Sequence, residues 1–401
     1  MKRYGLWLSA IGIGVANAIL FRVFELCVNT GTDQIWNHLF HSNTERWVVV
    51  PLGVLLSVAL SIVIQLLHQK RLTPPEADLL DNTNNAPRSL MSIGVILVIG
   101  LVSLLAGASL GPEASLLAAS TGLGGWLATR ARLQNSARIL ILASVGSLLV
   151  AFLGSIVMVL VPLLILLKQK RLRMASASFV VLAAVSAYGT LLLIDRAHPG
   201  YGTALPLSSP TAHDYSVALL VGFITAFLGV AMNRLVTWLT RPASWLDTLL
   251  PWYVSAGLFG LVIGATYLLA GQSIEFSGNT GSALLVNHTP HYSTLALVGL
   301  IAAKLLATTW SKATGYRGGL VFPSIYIGVA LGLLTGSLLH GIGGAGAQIG
   351  GVAGMLSAVT GSAVMSAVFV LAVVPTKLLP LAILAILGSA GCSRLLGRKL
   401  S

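Results

Sequence analysis

Charge is what this chain has least of. Only 9% of its 401 residues are Asp, Glu, Lys or Arg, where a soluble protein carries about a quarter. That scarcity excludes an ordinary water-soluble domain. Acids are rarer than bases, 11 against 24, giving a formal charge of +13. Such an excess can serve nucleic acid, but here the basic residues fall in short clusters between apolar runs, with residues 168–173 the densest. The positive-inside rule accounts for that pattern and leaves no nucleic-acid partner. Cysteine is almost absent. Cys27 and Cys392 lie far apart without metal-ligand spacing, so neither a disulfide framework nor a metal site is expected. Both are expected to be buried and inert, and nothing in the sequence asks for a cofactor. A small-x-small cleavage site is also missing after the first apolar run, residues 6–26 behind Lys2 and Arg3. The run therefore reads as a retained first helix with its N-terminus in the cytoplasm.

What is present is apolar: 56% hydrophobic residues and 43 glycines. Roughly ten to twelve runs approach spanning length, and several are cut by Gly or Pro. The chain reads as an all-α, polytopic protein of the cytoplasmic membrane, with several segments too short or too interrupted to span upright. Residues 1–401 form one transmembrane domain with approximate halves 1–195 and 215–401, and no soluble C-terminal domain is expected. Residues 29–46 read as an external polar loop and 73–89 as a cytoplasmic one. The run 139–167 is too long for one upright helix, and Gly154 and Pro162 predict its break. Residues 352–373 and 378–396 read as the last two segments.

Two stretches share one grammar. Gly315-Tyr316-Arg317-Gly318-Gly319-Leu320-Val321-Phe322-Pro323 is a glycine-rich turn that stops at a proline, where an apolar helix begins. Gly107-Ala108-Ser109-Leu110-Gly111-Pro112-Glu113-Ala114-Ser115 repeats it and carries an acid. A helix start aims its first amides, with partial positive charge, out of its end. In water that is an anion site; inside a bilayer it marks a pore or binding site. Interrupted segments at corresponding places in two halves point the same way. Glu113 is a carboxylate in an apolar segment, a functional candidate by default, and at a helix start it would compete with an arriving anion for the same N–H groups. Leu320, Val321 and Phe322 matter for their amides. Lys304 and Arg317 are expected to snorkel to an interface, and Tyr326 and Ser324 to pack or cap. The run Gly107-Ala108-Ser109-Leu110 also fits the Gly-x-Ser-x pattern of intramembrane proteases, but that chemistry needs a His on another span. All eight His residues fall in loops or at segment ends, so the chain does not read as an enzyme.

These motifs resemble those of the chloride channel (CLC) family of anion channels and proton-coupled anion antiporters. Gly111-Pro112-Glu113-Ala114-Ser115 is similar to the family's Gly-Lys/Arg-Glu-Gly-Pro. Gly318-Gly319-Leu320-Val321-Phe322-Pro323, then Gly328, is similar to its Gly-Gly-x-Phe-x-Pro…Gly. Lys304 and Gly278-Asn279 are further landmarks, and the resemblance spans roughly residues 90–396. It implies a bundle of tilted, broken helices in two inverted-topology halves, a homodimer with one pore per subunit, Glu113 as external gate, and Ala114, Leu320 and Val321 as sources of anion-binding amides. The departures carry information as well. The family's Gly-Ser-Gly-Ile-Pro is absent between Arg71 and Ser89, Pro112 replaces the basic residue, and Val321 stands where the Phe is usual. No Tyr follows Tyr326, and no acid occurs near Leu164 or Ile165, where antiporters hold an internal proton-transfer glutamate. The expectation is a divergent bacterial-type member that passes chloride passively or with weak coupling. The rivals are a proton-coupled chloride antiporter and, in another class, a non-conducting membrane scaffold.

Overall fold

The computed structural model describes residues 2–37, 46–69, 89–168, 174–196, 209–287, 292–338 and 344–396. The described chain is a succession of helices: α1 (Lys2–Thr32), α2 (Val49–Gln69), α3 (Leu90–Leu105), α4 (Glu113–Arg130), α5 (Ala137–Leu153), α6 (Leu160–Lys168), α7 (Met174–Ile194), α8 (Ala212–Leu249), α9 (Trp252–Ala270), α10 (Asn279–Asn287), α11 (Thr294–Ala313), α12 (Val321–Leu338), α13 (Gly344–Thr360), α14 (Ala363–Val373) and α15 (Leu379–Leu395). Eight described helices are long and apolar enough to cross a membrane, and three shorter apolar ones accompany them. Together they match the roughly ten to twelve apolar runs, and the shorter ones are those cut by glycines or prolines. At 1.5 Å per residue, α3 with 16 residues reaches only about 24 Å, short of a ~30 Å hydrocarbon core.

Several boundaries follow the sequence reading and several do not. The run 139–167 breaks at Gly154, which ends α5 at φ 62°, and α6 starts at Leu160. Residues 352–373 are two helices, parted at Gly361 (φ 69°). The polar stretch expected as a loop from residue 29 stays helical: α1 runs to Thr32 and a π turn continues to Asn37, because Trp36 gains burial, at 2% exposure. Cys27 corrects another expectation. It lies on an exposed face of α1, whereas Cys392 is buried. Of the expected cytoplasmic loop, residues 73–88 lie outside the described residues.

The chain divides into two compact units. Unit 1 comprises residues 1–33, 63–102 and 112–202, with α1, α4, α5, α6 and α7 and most of α3. Its centre is polar as well as apolar. Asn17 of α1 donates to the Ser144 carbonyl (3.1 Å) and to the hydroxyls of Ser144 and Ser147 (both 2.9 Å) on α5. Ser120 of α4 joins through Ser144 at 3.0 Å. Leu6, Ile13, Leu140, Phe179 and Val180 belong to the unit's buried apolar cluster. Gly124 lets α4 lie on α5, since a Cβ there would meet Ile141 Cα at 2.7 Å. This is the small-residue packing expected where lipid supplies no hydrophobic drive between helices.

Unit 2 comprises residues 34–62, 103–111 and 203–401. Its centre is α13, packed against α8, α12 and α15. Glycines again set the spacing: a Cβ on Gly328 of α12 would meet the Gly351 carbonyl at 2.6 Å, and one on Gly354 of α13 would meet Gly222 Cα at 2.7 Å. Asp214, buried near the start of α8, completes a capping box with Thr211 and accepts the Gly346 amide at 2.7 Å. Its burial thus has a structural cause.

Candidate functional site

Within unit 2 the two glycine turns are bonded to each other. Gly111 donates its amide to the Gly319 carbonyl at 2.9 Å, and Gly319 returns the bond at 2.7 Å. This is an isolated antiparallel bridge. The flanking bonds are reciprocal too. The Ser109 amide donates to the Ser311 hydroxyl oxygen (3.1 Å), and the Arg317 amide donates to that of Ser103 (2.7 Å). The shift along the chain that carries Ser103 to Ser311 also carries Gly107 to Gly315, Ser109 to Arg317 and Gly111 to Gly319. It carries the end of α3 to the end of α11, and both bounds of α4 to both bounds of α12. The turns are therefore related by a local two-fold, and the bonds come in pairs because of it.

The turn conformations explain the sequence. Gly107 and Gly315 sit at φ 89° and 84°, a region open to Gly and costly for residues with a Cβ. Each reverses the chain after a helix: Gly107 donates to the Leu104 carbonyl (3.0 Å), Ala108 to that of Ser103 (3.2 Å), and Tyr316 to that of Ser311 (3.1 Å). At Gly318 the need is space. A Cβ there would lie 2.5 Å from Leu110 Cβ and 2.9 Å from the Gly111 carbonyl.

Helices start right after the bridge. In unit 2, α12 opens with Val321 and Phe322, both buried, and Pro323. A first turn sends its amides out of the helix end, and Pro at the third position adds no donor. Ser324, fully buried, donates its hydroxyl back to the Leu320 carbonyl at 2.6 Å, an i−4 bond within the helix and not a cap. Tyr326 is fully buried, as expected. In unit 1, Pro112 precedes α4 with helical dihedrals, and Glu113 is its first residue, 2% exposed. Glu113 and Asp214 are the two described acids buried to this degree. A carboxylate in the first turn is favoured by the helix dipole. Ala114 follows, partly buried.

The structure adds a layer that the sequence reading missed. Tyr267 of α9, fully buried, donates its hydroxyl to the Gly107 carbonyl (2.9 Å) and accepts the Phe276 amide (2.9 Å). Trp36 donates its indole N–H to the Leu105 carbonyl at 2.8 Å, and its ring lies where a Cβ on Gly107 would fall, at 2.6 Å. Trp36, Tyr267 and Phe276 meet edge to face, with centroids 5.5–6.2 Å apart. Lys304 of α11 overturns the snorkelling expectation. It is fully buried, donates to the carbonyls of Ile274 (2.9 Å) and Phe276 (2.6 Å), and holds its Nζ 5.3 Å from the Tyr326 ring centroid. The segment 272–278 folds back over it and supplies acceptors that a lipid-facing helix would lack. Gly278, at φ 84°, makes this possible, since a Cβ there would touch Lys304 Cε and Tyr326 Cβ at 3.0 Å. Lys304 and Gly278 as landmarks were the sequence signals for this layer. Glu275, between α9 and α10, has its carboxyl pushed up to about 7 by burial, partly offset by Arg46 and Lys304.

Among the described residues, the neighbours of Ser109 are hydroxyl groups. Its hydroxyl lies 3.1 Å from that of Thr308, and its amide engages Ser311. Of the eight His residues, His68 and His213 are described.

A model of the voltage gated chloride channel family matches residues 77–394. Among curated proteins the chain is similar to the "Putative ion-transport protein YfeO" of Escherichia fergusonii, 27% identical over 387 residues, covering 93% of this chain and 89% of that protein. The protein of the same name from Escherichia coli is 26% identical over the same coverage. Among solved structures the fold is similar to that of a slow cyanobacterial Cl−/H+ antiporter (TM-score 0.79, 18% identity, 99% of this chain and 96% of that one). It is also similar to a CLC-type fluoride/proton antiporter (TM-score 0.77, 17% identity, 97% and 95%). With broken helices, bridged glycine turns and a family match over most of its length, this chain belongs to the voltage gated chloride channel (CLC) family.

Proposed function

We propose that the protein passes chloride or another small anion across the cytoplasmic membrane by a channel-like route, with Glu113 as its gate. The observation that carries this reading is the reciprocal bridge Gly111–Gly319, beyond which the chain enters helices at Glu113 and Val321. Leu320, Val321 and Phe322 at the start of α12, and Ala114 at the start of α4, present backbone N–H groups to the anion. Their apolar side chains keep water out and strengthen the interaction. Glu113 competes with the anion when ionised and yields when protonated or displaced. The glycines 107, 111, 315, 318 and 319 and the prolines 112 and 323 shape the turns that lead into these two helices. The protein works as a homodimer, with its N-terminus in the cytoplasm and the halves 1–195 and 215–401 as repeats, and it does no covalent chemistry.

A proton-coupled antiporter is the second reading, favoured by the names of the two structural relatives. Against it stands the lack of an acid near Leu164 and Ile165. Proton and chloride movement in reconstituted liposomes separates the two. The channel reading expects chloride flux that drives no proton against its gradient. Uphill proton movement coupled to a chloride gradient would establish the antiporter.

A further inference from the structure

The far end of α8 carries a cavity that anion passage does not use. At 1.5 Å per residue, the 38 residues of α8 extend about 57 Å, nearly twice the ~30 Å hydrocarbon core. Its first apolar stretch, residues 217–233, crosses most of that core, so Arg234 and Arg241 fall at the level where headgroups begin. Trp238 and Trp245, 65% and 60% exposed, mark the same level, as amphipathic rings do at membrane interfaces. There Asn233, Arg234, Thr237, Trp238 and Arg241 line one face of the helix. With Leu396, just past α15, they border an open cavity of about 600 Å³.

The polar groups in it are prepared for an anion. Arg234 reaches the Leu396 carbonyl through one Nη at a long 3.4 Å. Neither Arg234 nor Arg241 has a carboxylate within ion-pair distance among the described residues. The amide nitrogen of Asn233 is buried and has no acceptor among the described residues. Thr237 already donates its hydroxyl to the Asn233 carbonyl at 3.1 Å, which fixes the helix face. A buried, unused donor beside two guanidinium groups asks for oxygen acceptors carrying negative charge. The walls are not those of a free-anion site: Trp238 and Leu396 give one side an apolar lining.

We propose that this cavity binds the phosphodiester headgroup of an anionic glycerophospholipid. Arg234 and Arg241 take the phosphate oxygens, and Asn233 Nδ2 donates to one of them. Trp238 and Leu396 cover the glycerol and the first acyl carbons.

The test uses the full chain purified in an uncharged detergent and supplied with phosphatidylglycerol or phosphatidylcholine, with retained lipid counted by native mass spectrometry. Wild type is expected to retain phosphatidylglycerol in preference to phosphatidylcholine. Arg234→Gln with Arg241→Gln is expected to lower that preference about tenfold or more, since each surface cation contributes near 1 kcal/mol. Arg130→Gln with Arg132→Gln removes the same charge from another basic cluster and is expected to change nothing. Equal loss in both pairs, or no loss in the first, overturns the proposal. So does inorganic phosphate raising the thermal midpoint as far as phosphatidylglycerol does, which would assign the cavity to a free anion. Should the Gln pair fail to fold, wild type labelled with a photoactivatable phosphatidylglycerol decides: label within 230–241 supports the site, and label only elsewhere refutes it.

Discussion

At the scale of single residues, buried charge separates roles. Lys304 is held by two carbonyls and an aromatic face, so Lys304→Met strands two acceptors in the interior. An unsatisfied buried group costs about 1–3 kcal/mol, and the variant is expected to show a lower thermal midpoint in detergent. An unchanged midpoint would mean that the segment 272–278 is held by other means. Glu275 gives a pH signature. Its carboxyl is raised from 4.5 to about 7, so the folded protein holds that proton more tightly than the unfolded chain. Stability is then greatest below the unfolded value, falls as pH rises from about 4.5 toward about 7, and levels off above. Glu275→Gln is expected to flatten the midpoint-against-pH curve in that window, and a curve of undiminished slope would move the titration elsewhere. The place of Glu113 at a helix start was legible in the sequence, because it directly follows Gly111-Pro112 and opens an apolar run. Trp36 and Tyr267 were not legible, because an aromatic in an apolar run looks like core until its polar tip is seen to meet a turn carbonyl.

At the scale of elements, the paired turns make a symmetric prediction. Ser103→Ala removes the acceptor of the Arg317 amide, and Ser311→Ala that of the Ser109 amide. Each is expected to destabilise by about 1–3 kcal/mol, by similar amounts, with coupling in the double variant because both bonds clamp one bridge. Strongly unequal losses, measured as unfolding midpoints, would mean that the local two-fold is geometric and not energetic. Glycine spacing made the two turns visible before their pairing was known. What it could not give is the bond pattern, because Ser103 and Ser311 read as ordinary helix-end serines. Element ends were less legible than their existence. The break at Gly361 was missed since Ser362 caps the next helix without changing the hydropathy, and α8 runs eleven residues past Trp238 because Pro242 stays within it.

At the scale of the whole molecule, composition alone decided the class. A chain with 9% charge and recurrent apolar runs must satisfy its backbone within helices if it is to cross a bilayer. The family followed from two short motifs, and the match over residues 77–394 agrees with them. Direction of transport and coupling were less legible, because they rest on single acids and tyrosines whose absence constrains one known route only. The account's central claim is that a helix-start carboxylate competes with an anion for backbone amides. Chloride efflux from liposomes carrying wild type or Glu113→Gln, at acid and at neutral pH, tests it most directly. The account predicts that Glu113→Gln conducts faster than wild type at neutral pH and equally at both pH values. Efflux from the variant that matches wild type in rate and in pH dependence would contradict it.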